Sequence, residues 1–395
     1  MSNLMLEFSQ SVSKLNKEKK YSDTLEVFKE KKGSFSDEEI ANNEYLVSTI
    51  VTALRHTNKS DYAFKFLDHY KIEISETTNE RILNAYGWLL LTKYKEENLN
   101  SNFDQKGEGL ADDESGELEI TSLPVSSDAL KRIKKFIPII IEVDDEFSYS
   151  VFARLFELVL KTESKKTKVD WQFINEFCDL VSPEKLKTDC RKFEMEKDSI
   201  GDKRTIEMAS DLENWYAYKS KALFKLGKYQ ECSKLSKEAL EALKNFHYSN
   251  DVWFARRIAL SKKQLGNTKE AIKELQQILR KKKEWFIQKE LAELYKEEGN
   301  IDGAFKLAIE AALSPSNLDF KLDLLILLGD LLKVKNQVDL AFKHYSLSKL
   351  IRLKGNRNIP HKLTVALENC GKPDMPLEKL DLTAIELKKY WQSQK

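Results

Sequence analysis

The residues in this chain best suited to chemistry are cations gathered in one stretch. Between positions 256 and 289 there are eleven Lys or Arg and only three Asp or Glu, a local excess of +8. Four of these bases, Arg280, Lys281, Lys282 and Lys283, are consecutive. Side chains of this type form charge-assisted hydrogen bonds with carboxylates and phosphates, so the run is a candidate phosphate-contacting patch. At the end of a helix the same four cations would instead complement the helix dipole. A field of opposite sign lies upstream. Positions 96–119 hold nine acids and one base, Lys106, for a net −8, which makes that segment a potential competitor for the basic stretch. The whole chain carries only +1, so attraction to nucleic acid or to a membrane has to be local.

Catalytic constellations are not expected. The five histidines, His56, His69, His247, His344 and His361, are scattered without paired metal-ligand spacing. Gly107 and Gly109 lack the third glycine and the flanking strand of a phosphate loop. Asp144, Asp145 and Glu146 precede a helical pattern and read as an N-terminal charge cluster. Cys178, Cys190, Cys232 and Cys370 contain no C-x-x-C pair, which fits neither a disulfide framework nor a zinc pattern and suits a reducing compartment. No catalytic residue, metal ligand or cofactor is assigned, and the reading is a non-enzyme. The longest apolar runs have five residues, far short of the roughly 20 that a membrane helix needs. The first residues alternate apolar and charged positions without a secretory pattern, so a cytoplasmic protein is expected.

The elements that must position the cations are helices. Gly is 13 and Pro is 7 in 395 residues, while Lys+Arg and Asp+Glu number 65 and 64. Few breakers with many charges favour long solvated helices. Residues 1–95 read as helix pairs; Leu46, Val47, Ile50, Val51 and Leu54, for example, share one helical face. Residues 96–127 are too acidic and too poor in apolar side chains to offset the entropy of ordering, and read as a disordered insertion. Residues 128–205 read as bridging helices, with Asp128 as an N-cap and Pro138 ending or kinking the first of them. After residue 356, two further helices are expected to cap the C-terminal end over 357–395.

Residues 206–356 carry a repeat. Gly227, Gly266, Gly299 and Asn336 sit between paired helical patterns, 39, 33 and 37 residues apart. A period near 34 with helix–turn–helix content points to a helical array. Counted from fourteen residues before each turn residue, positions 7, 8, 11, 20 and 27 of the third unit are Leu291, Ala292, Tyr295, Ala304 and Ala311. The second unit has Ile258, Ala259, Lys262, Ala271 and Ile278, the fourth Leu328, Gly329, Leu332, Ala341 and Ser348, and the first Lys219, Ser220, Leu223, Cys232 and Ala239. This pattern resembles the tetratricopeptide repeat (TPR) family. The resemblance implies an all-α solenoid of helix–turn–helix repeats, here with a second, degenerate helical block at the N-terminus. One unit cannot bury its apolar face alone, so neighbours stack.

The resemblance also implies a binding face on the first helix of each unit, at positions 2, 5, 9 and 12. In the first unit this face carries Lys221 with Asn214, Ala217 and Phe224. Trp253, Arg256 and Lys263, with Leu260, represent it in the second unit. The third has Phe286, Lys289 and Lys296, with Glu293, and the fourth has Asp323, Ile326, Asp330 and Lys333. The implied activity is an adaptor or scaffold that takes a protein partner, an acidic peptide or segment, with Trp253 and Phe286 as anchors and the bases as ion-pairing groups. Nucleic-acid association through the same basic stripe is the alternative. The chain also resembles bacterial TPR proteins found with anti-phage or mobile-element conflict systems, which implies a defence association. No membrane partner is implied.

Overall fold

The computed structural model describes residues 3–99, 127–143, 145–196 and 203–394. These form two compact units, and the chain passes from the first to the second between Tyr218 and Lys219. The first unit contains α1 (Asn3–Lys17), α2 (Tyr21–Lys31), α3 (Asp37–Ala41), α4 (Glu44–His56), α5 (Ser60–His69), α6 (Glu80–Leu99), α7 (Asp128–Ile140), α8 (Glu146–Ser164) and α9 (Trp171–Asp179). Strands β1 (Arg191–Glu196) and β2 (Lys203–Met208) follow, and α10 (Asp211–Lys225) spans the division.

Two helix pairs of the first unit close with the same kind of turn. Lys19 between α1 and α2 and Asn58 between α4 and α5 have φ of 60° and 56°, in the left-handed region. In each turn the following amide bonds back five residues, Lys20 N to Leu15 O and Lys59 N to Leu54 O, both at 2.9 Å. These bonds satisfy carbonyls left open at the helix ends. Met5, Phe8 and Val12 of α1, Phe28 of α2, and Leu46 and Ile50 of α4 then share one core. Deeper in the unit, α6 approaches α7 and α8 at Gly87. A Cβ there would stand 3.0 Å from Val151 and 3.1 Å from Phe136, so the glycine sets the depth of that contact.

Helix starts follow local polar chemistry. Ser36 and Glu39 form a reciprocal capping box at α3. Asp145 accepts from Ser148 N at 2.7 Å, and Asp170 accepts from Phe173 N at 2.9 Å. At α7 the cap is Ser127, whose Oγ accepts from Leu130 N at 3.1 Å. Asp128, expected as the cap, is the first helical residue and pairs with Arg132 at 3.0 Å. Pro138 lies in the last turn of α7, which ends two residues later.

Two features differ from the expectations for residues 96–205. Residues 96–99 continue α6 rather than opening an irregular segment, and Glu96 accepts from Ser60 Oγ at 2.9 Å. The rest of the acidic insertion, residues 100–126, lies outside the described residues. The stretch after Ser182 and Pro183 makes a single 3-10 turn, Pro183–Lys185, and then an antiparallel hairpin instead of a helix. Its register pairs Phe193 with Ile206 and Lys192 with Glu207. Apolar Phe193 and Met195 alternate with Lys192, Glu194 and Glu196, which is the period of a strand.

The second unit continues with α11 (Tyr229–Ala242), α12 (Asn250–Gln264), α13 (Thr268–Lys281), α14 (Trp285–Glu297), α15 (Ile301–Leu313), α16 (Leu322–Val334), α17 (Val338–Lys354), α18 (His361–Glu368) and α19 (Leu380–Ser393). From α10 to α17 the helices form consecutive pairs. Gly227, Gly266, Gly299 and Asn336 occupy the turns within the pairs with φ of 74°, 86°, 79° and 60°. Each repeats the five-residue back-bond: Lys228 N to Leu223 O, Asn267 N to Lys262 O, Asn300 N to Tyr295 O and Gln337 N to Leu332 O, at 2.8–2.9 Å. The small positions where paired helices cross are fully buried, as in Ser220 with Cys232, Ala259 with Ala271, and Ala292 with Ala304. In the first pair the helices are close enough for Cys232 Sγ to donate to Ser220 O at 3.2 Å. In the last, the missing side chain of Gly329 is replaced by the ring of Tyr345. The fold is an α-solenoid of TPR-like helix–turn–helix repeats.

The C-terminal helix α19 closes onto this array. Leu387 and Trp391 join a core with Ala308, Leu324, Leu328 and Leu347. The Trp391 indole N–H donates to Nε2 of the buried His344 at 2.9 Å, while His344 Nδ1–H donates to Leu340 O at 2.7 Å. Both ring nitrogens are therefore committed to a neutral imidazole, and burial holds its pKa down at about 4.

Candidate functional site

The repeat period decides which side chains meet on the first helices α12, α14 and α16. Residues one unit apart stand side by side, and the contacts recur at that spacing. Trp253 and Phe286 lie in parallel, their ring centroids 4.5 Å apart at an interplanar angle of 5°. One turn on, Arg256 Nε donates to Glu290 Oε1 at 2.6 Å, a pair 34 residues apart, and its guanidinium lies 5.3 Å from the Trp253 ring centroid. Lys263 donates to Glu297 at 2.7 Å and Lys296 to Asp330 at 2.7 Å, again 34 residues apart. Lys289 pairs with Glu293 at 3.3 Å along its own helix.

This face is of mixed charge, whereas the sequence count suggested a basic one. The acids that balance the bases lie beyond position 289: Glu290 and Glu297 meet Arg256 and Lys263 from the next first helix, Glu293 meets Lys289 along α14, and Asp330 meets Lys296. Its centre is also dry. Trp253 and Arg256 are each 8% exposed, and Glu290 is equally covered. Burial raises the Glu290 carboxyl above its ordinary range against the pull of Arg256, and Oε2 has no hydrogen-bond partner among the described residues. Burial also works against charge on Lys289, but Glu293, Asp323 and Glu290 outweigh it and raise its pKa above the ordinary lysine value. Asp330 receives a further bond from the Tyr345 hydroxyl at 2.8 Å, and Asp323 one from Arg352 at 3.1 Å. The result is an apolar anchor, the Trp253–Phe286 stack, followed by a ladder of ion pairs.

The other sequence candidates separate from this core. Lys221 lies half-buried in α10, on the second unit's side of the division. Arg280 and Lys281 end α13, where cations meet the negative end of the dipole, and both are exposed. Lys282 turns back to Asp251 at 2.9 Å. Lys283 is exposed. Three of the four run residues, Arg280, Lys281 and Lys283, therefore point to solvent with no carboxylate partner among the described residues. Sequence reasoning had not marked Glu290 and Glu297 at all. Their signal was available as opposite charges one period apart, 256 to 290 and 263 to 297.

No family model matches this chain. No curated protein matches it either. Solved structures do align along much of its length at low identity. The C-terminal part of a TPR repeat-containing protein from Cytophaga hutchinsonii is 13% identical, with 91% of this chain and 99% of that chain covered and a TM-score of 0.35. A human IFIT1 dimer with m7Gppp-AAAA is 15% identical, covers 96% of this chain and 83% of its own, and has a TM-score of 0.36. Yeast Tom70 is 12% identical, with 99% and 96% covered and a TM-score of 0.28. At TM-scores this low, the repeat character of the chain rests on its own helices and turns.

Proposed function

We propose that the chain is a TPR-like, non-enzymatic scaffold that binds a protein partner along the first-helix face of α12, α14 and α16. The observation that carries this reading is the Trp253–Phe286 stack beside a ladder of matched charges. Trp253 is already covered and supports the half-buried ring of Phe286, which is the aromatic surface left to a partner, and such aromatics are the usual anchors of protein interfaces. Because Lys263, Lys289 and Lys296 already have partners, an acidic segment binds by exchanging with Glu297, Glu293 and Asp330 rather than by meeting free cations. Charge then contributes selectivity and register more than affinity, and the aromatic anchor contributes affinity.

The test is affinity capture from the native cell with the wild-type chain and with a Trp253→Ala, Lys263→Gln variant of unchanged helicity. Proteins retained by the first and lost by the second are expected. Identical capture by both would remove this face from the reading.

A second reading, nucleic-acid association, is supported by Arg280, Lys281 and Lys283 and their lack of carboxylate partners. Replacing all three by Gln should weaken retardation of a double-stranded oligonucleotide at low salt and lower the salt dependence of that binding. If the wild-type chain shows no retardation, this second reading fails.

A further inference from the structure

The first unit holds a cationic aromatic cluster that the scaffold reading leaves unused. Trp88 of α6 is half-buried. The guanidinium of Arg55, on α4, lies 5.8 Å from its ring centroid, and that of Arg154, on α8, lies 5.3 Å away. Since α6 packs against both α4 and α8, the three side chains share one stretch of surface. Neither arginine has a carboxylate partner among the described residues. The single side-chain hydrogen bond of Arg55 runs from Nη2 to Nε2 of His56 at 2.6 Å, and its Nε–H is buried without an acceptor. Arg154 is exposed, and among the described residues its side chain interacts with Trp88. Lys19, exposed in the turn before α2, adds a further cation two residues from Tyr21.

The contrast with the second unit is informative. There, Arg256, Lys263, Lys289 and Lys296 all meet carboxylates of their own chain. Here two guanidinium groups converge on an indole and meet no carboxylate among the described residues, which leaves them available to an anion from outside. A guanidinium held against a ring keeps its planar fork of donors oriented, which suits bidentate contact with an oxyanion. The neighbouring aromatic surface narrows the class. His56 and Tyr21 stack in parallel at 4.3 Å and 5°, and His56 is exposed, which leaves a flat platform next to Arg55. Planar bases stack on such platforms with little regard to sequence, whereas a carboxylate-bearing peptide has no need of one.

We propose that Arg55 binds the phosphate of a nucleotide unit whose base lies on the His56–Tyr21 stack, and that Arg154, held against the same Trp88 indole, adds a second phosphate contact. This site is independent of the scaffold face and of the Arg280, Lys281 and Lys283 run. The test uses the full chain and fluorescence anisotropy of a labelled single-stranded oligonucleotide, with AMP and inorganic phosphate as competitors. An Arg55→Gln, Arg154→Gln variant should lose at least tenfold in affinity. Its slope of log affinity against log salt should fall by about 0.7 for each phosphate contact removed. The exposed single change Arg154→Gln should weaken binding in the same direction with the fold unaltered. Replacing Arg280, Lys281 and Lys283 should leave this component intact. Effective competition by AMP identifies a free nucleotide as sufficient, and oligonucleotide binding that AMP does not displace identifies a strand. Unchanged affinity in both arginine variants would overturn the proposal, as would no binding of any probe or equal competition by inorganic phosphate and AMP.

Discussion

Replacing Arg256 by alanine isolates what the centre of the α12–α14 face contributes. The guanidinium is 8% exposed, donates from Nε to Glu290 Oε1 at 2.6 Å and lies against Trp253. Its removal leaves the Glu290 carboxylate buried, with Oε2 already lacking a hydrogen-bond partner. Breaking one side of such a pair costs about 3–5 kcal/mol, because an uncompensated charge stays in the interior. Replacing both partners by apolar residues of similar volume, Arg256→Met with Glu290→Leu, should return stability to within about 1 kcal/mol of wild type. Urea unfolding followed by far-UV circular dichroism measures both, and the two changes should be strongly non-additive. The pH dependence adds a second check. Burial already holds the Glu290 carboxyl above its ordinary pKa, and loss of Arg256 raises it further. A folded-state pKa above the unfolded value means that protonation stabilises the fold. The deficit of Arg256→Ala should therefore shrink as pH falls through the raised pKa towards the ordinary carboxylate range. A deficit below about 1 kcal/mol, or one that stays flat with pH, would refute a buried and charge-dependent pair.

Three further outcomes follow from the packing. His344 has a folded pKa of about 4 against an ordinary 6.5, so the stability it confers is complete above pH 6.5 and is lost as pH falls towards 4. Hydrogen exchange in α19 should accelerate across that window, and much less so in His344→Gln; an imidazole that titrates near 6.5 in the folded chain contradicts this. Lys321 donates to Ala312 O at 3.1 Å and Ser314 O at 2.7 Å, and burial lowers its pKa to about 8. Between pH 8 and 10.5 the unfolded chain binds the extra proton, so wild-type stability should rise with pH there, and the Lys321→Met variant should lack that component. Gly329→Ala drives a methyl group into the Tyr345 ring and should cost about 1–3 kcal/mol in thermal unfolding; a neutral result would show that the α16–α17 crossing is looser than described.

The repeats were legible because their punctuation is local. A left-handed turn residue and a small residue at each helix crossing leave marks at fixed positions, so Gly227, Gly266, Gly299 and Asn336 identify their own turns. In the N-terminal block the same turn geometry is held by Lys19 and Asn58, and a lysine there carries no such signal. The hairpin leaves a short mark, since Phe193 and Met195 alternate with charged residues over only six positions, too few to stand out from the helical patterns before and after them. The site was only half legible. The places of Trp253, Arg256, Phe286 and Lys289 in their units put them on one candidate face, but the acids that balance Arg256 and Lys263 stand one period later, outside the same stretch of sequence. Pairing in a solenoid is set by the repeat length, and Glu290 and Glu297 emerge only when the sequence is compared with itself at that offset. The Arg55, Trp88 and Arg154 cluster joins three helices without a common period and left no signal in the sequence.

Partners are expected to engage the face built on Trp253 and Phe286. This is tested most directly by titrating a partner captured with the wild-type chain against that chain and against a folded Trp253→Ala, Lys263→Gln, Lys296→Gln variant. Loss of an anchor together with two exchangeable cations should weaken binding about a hundredfold or more, equivalent to about 2.7 kcal/mol. Equal affinity for the two chains would rule out this face and move the partner to another surface.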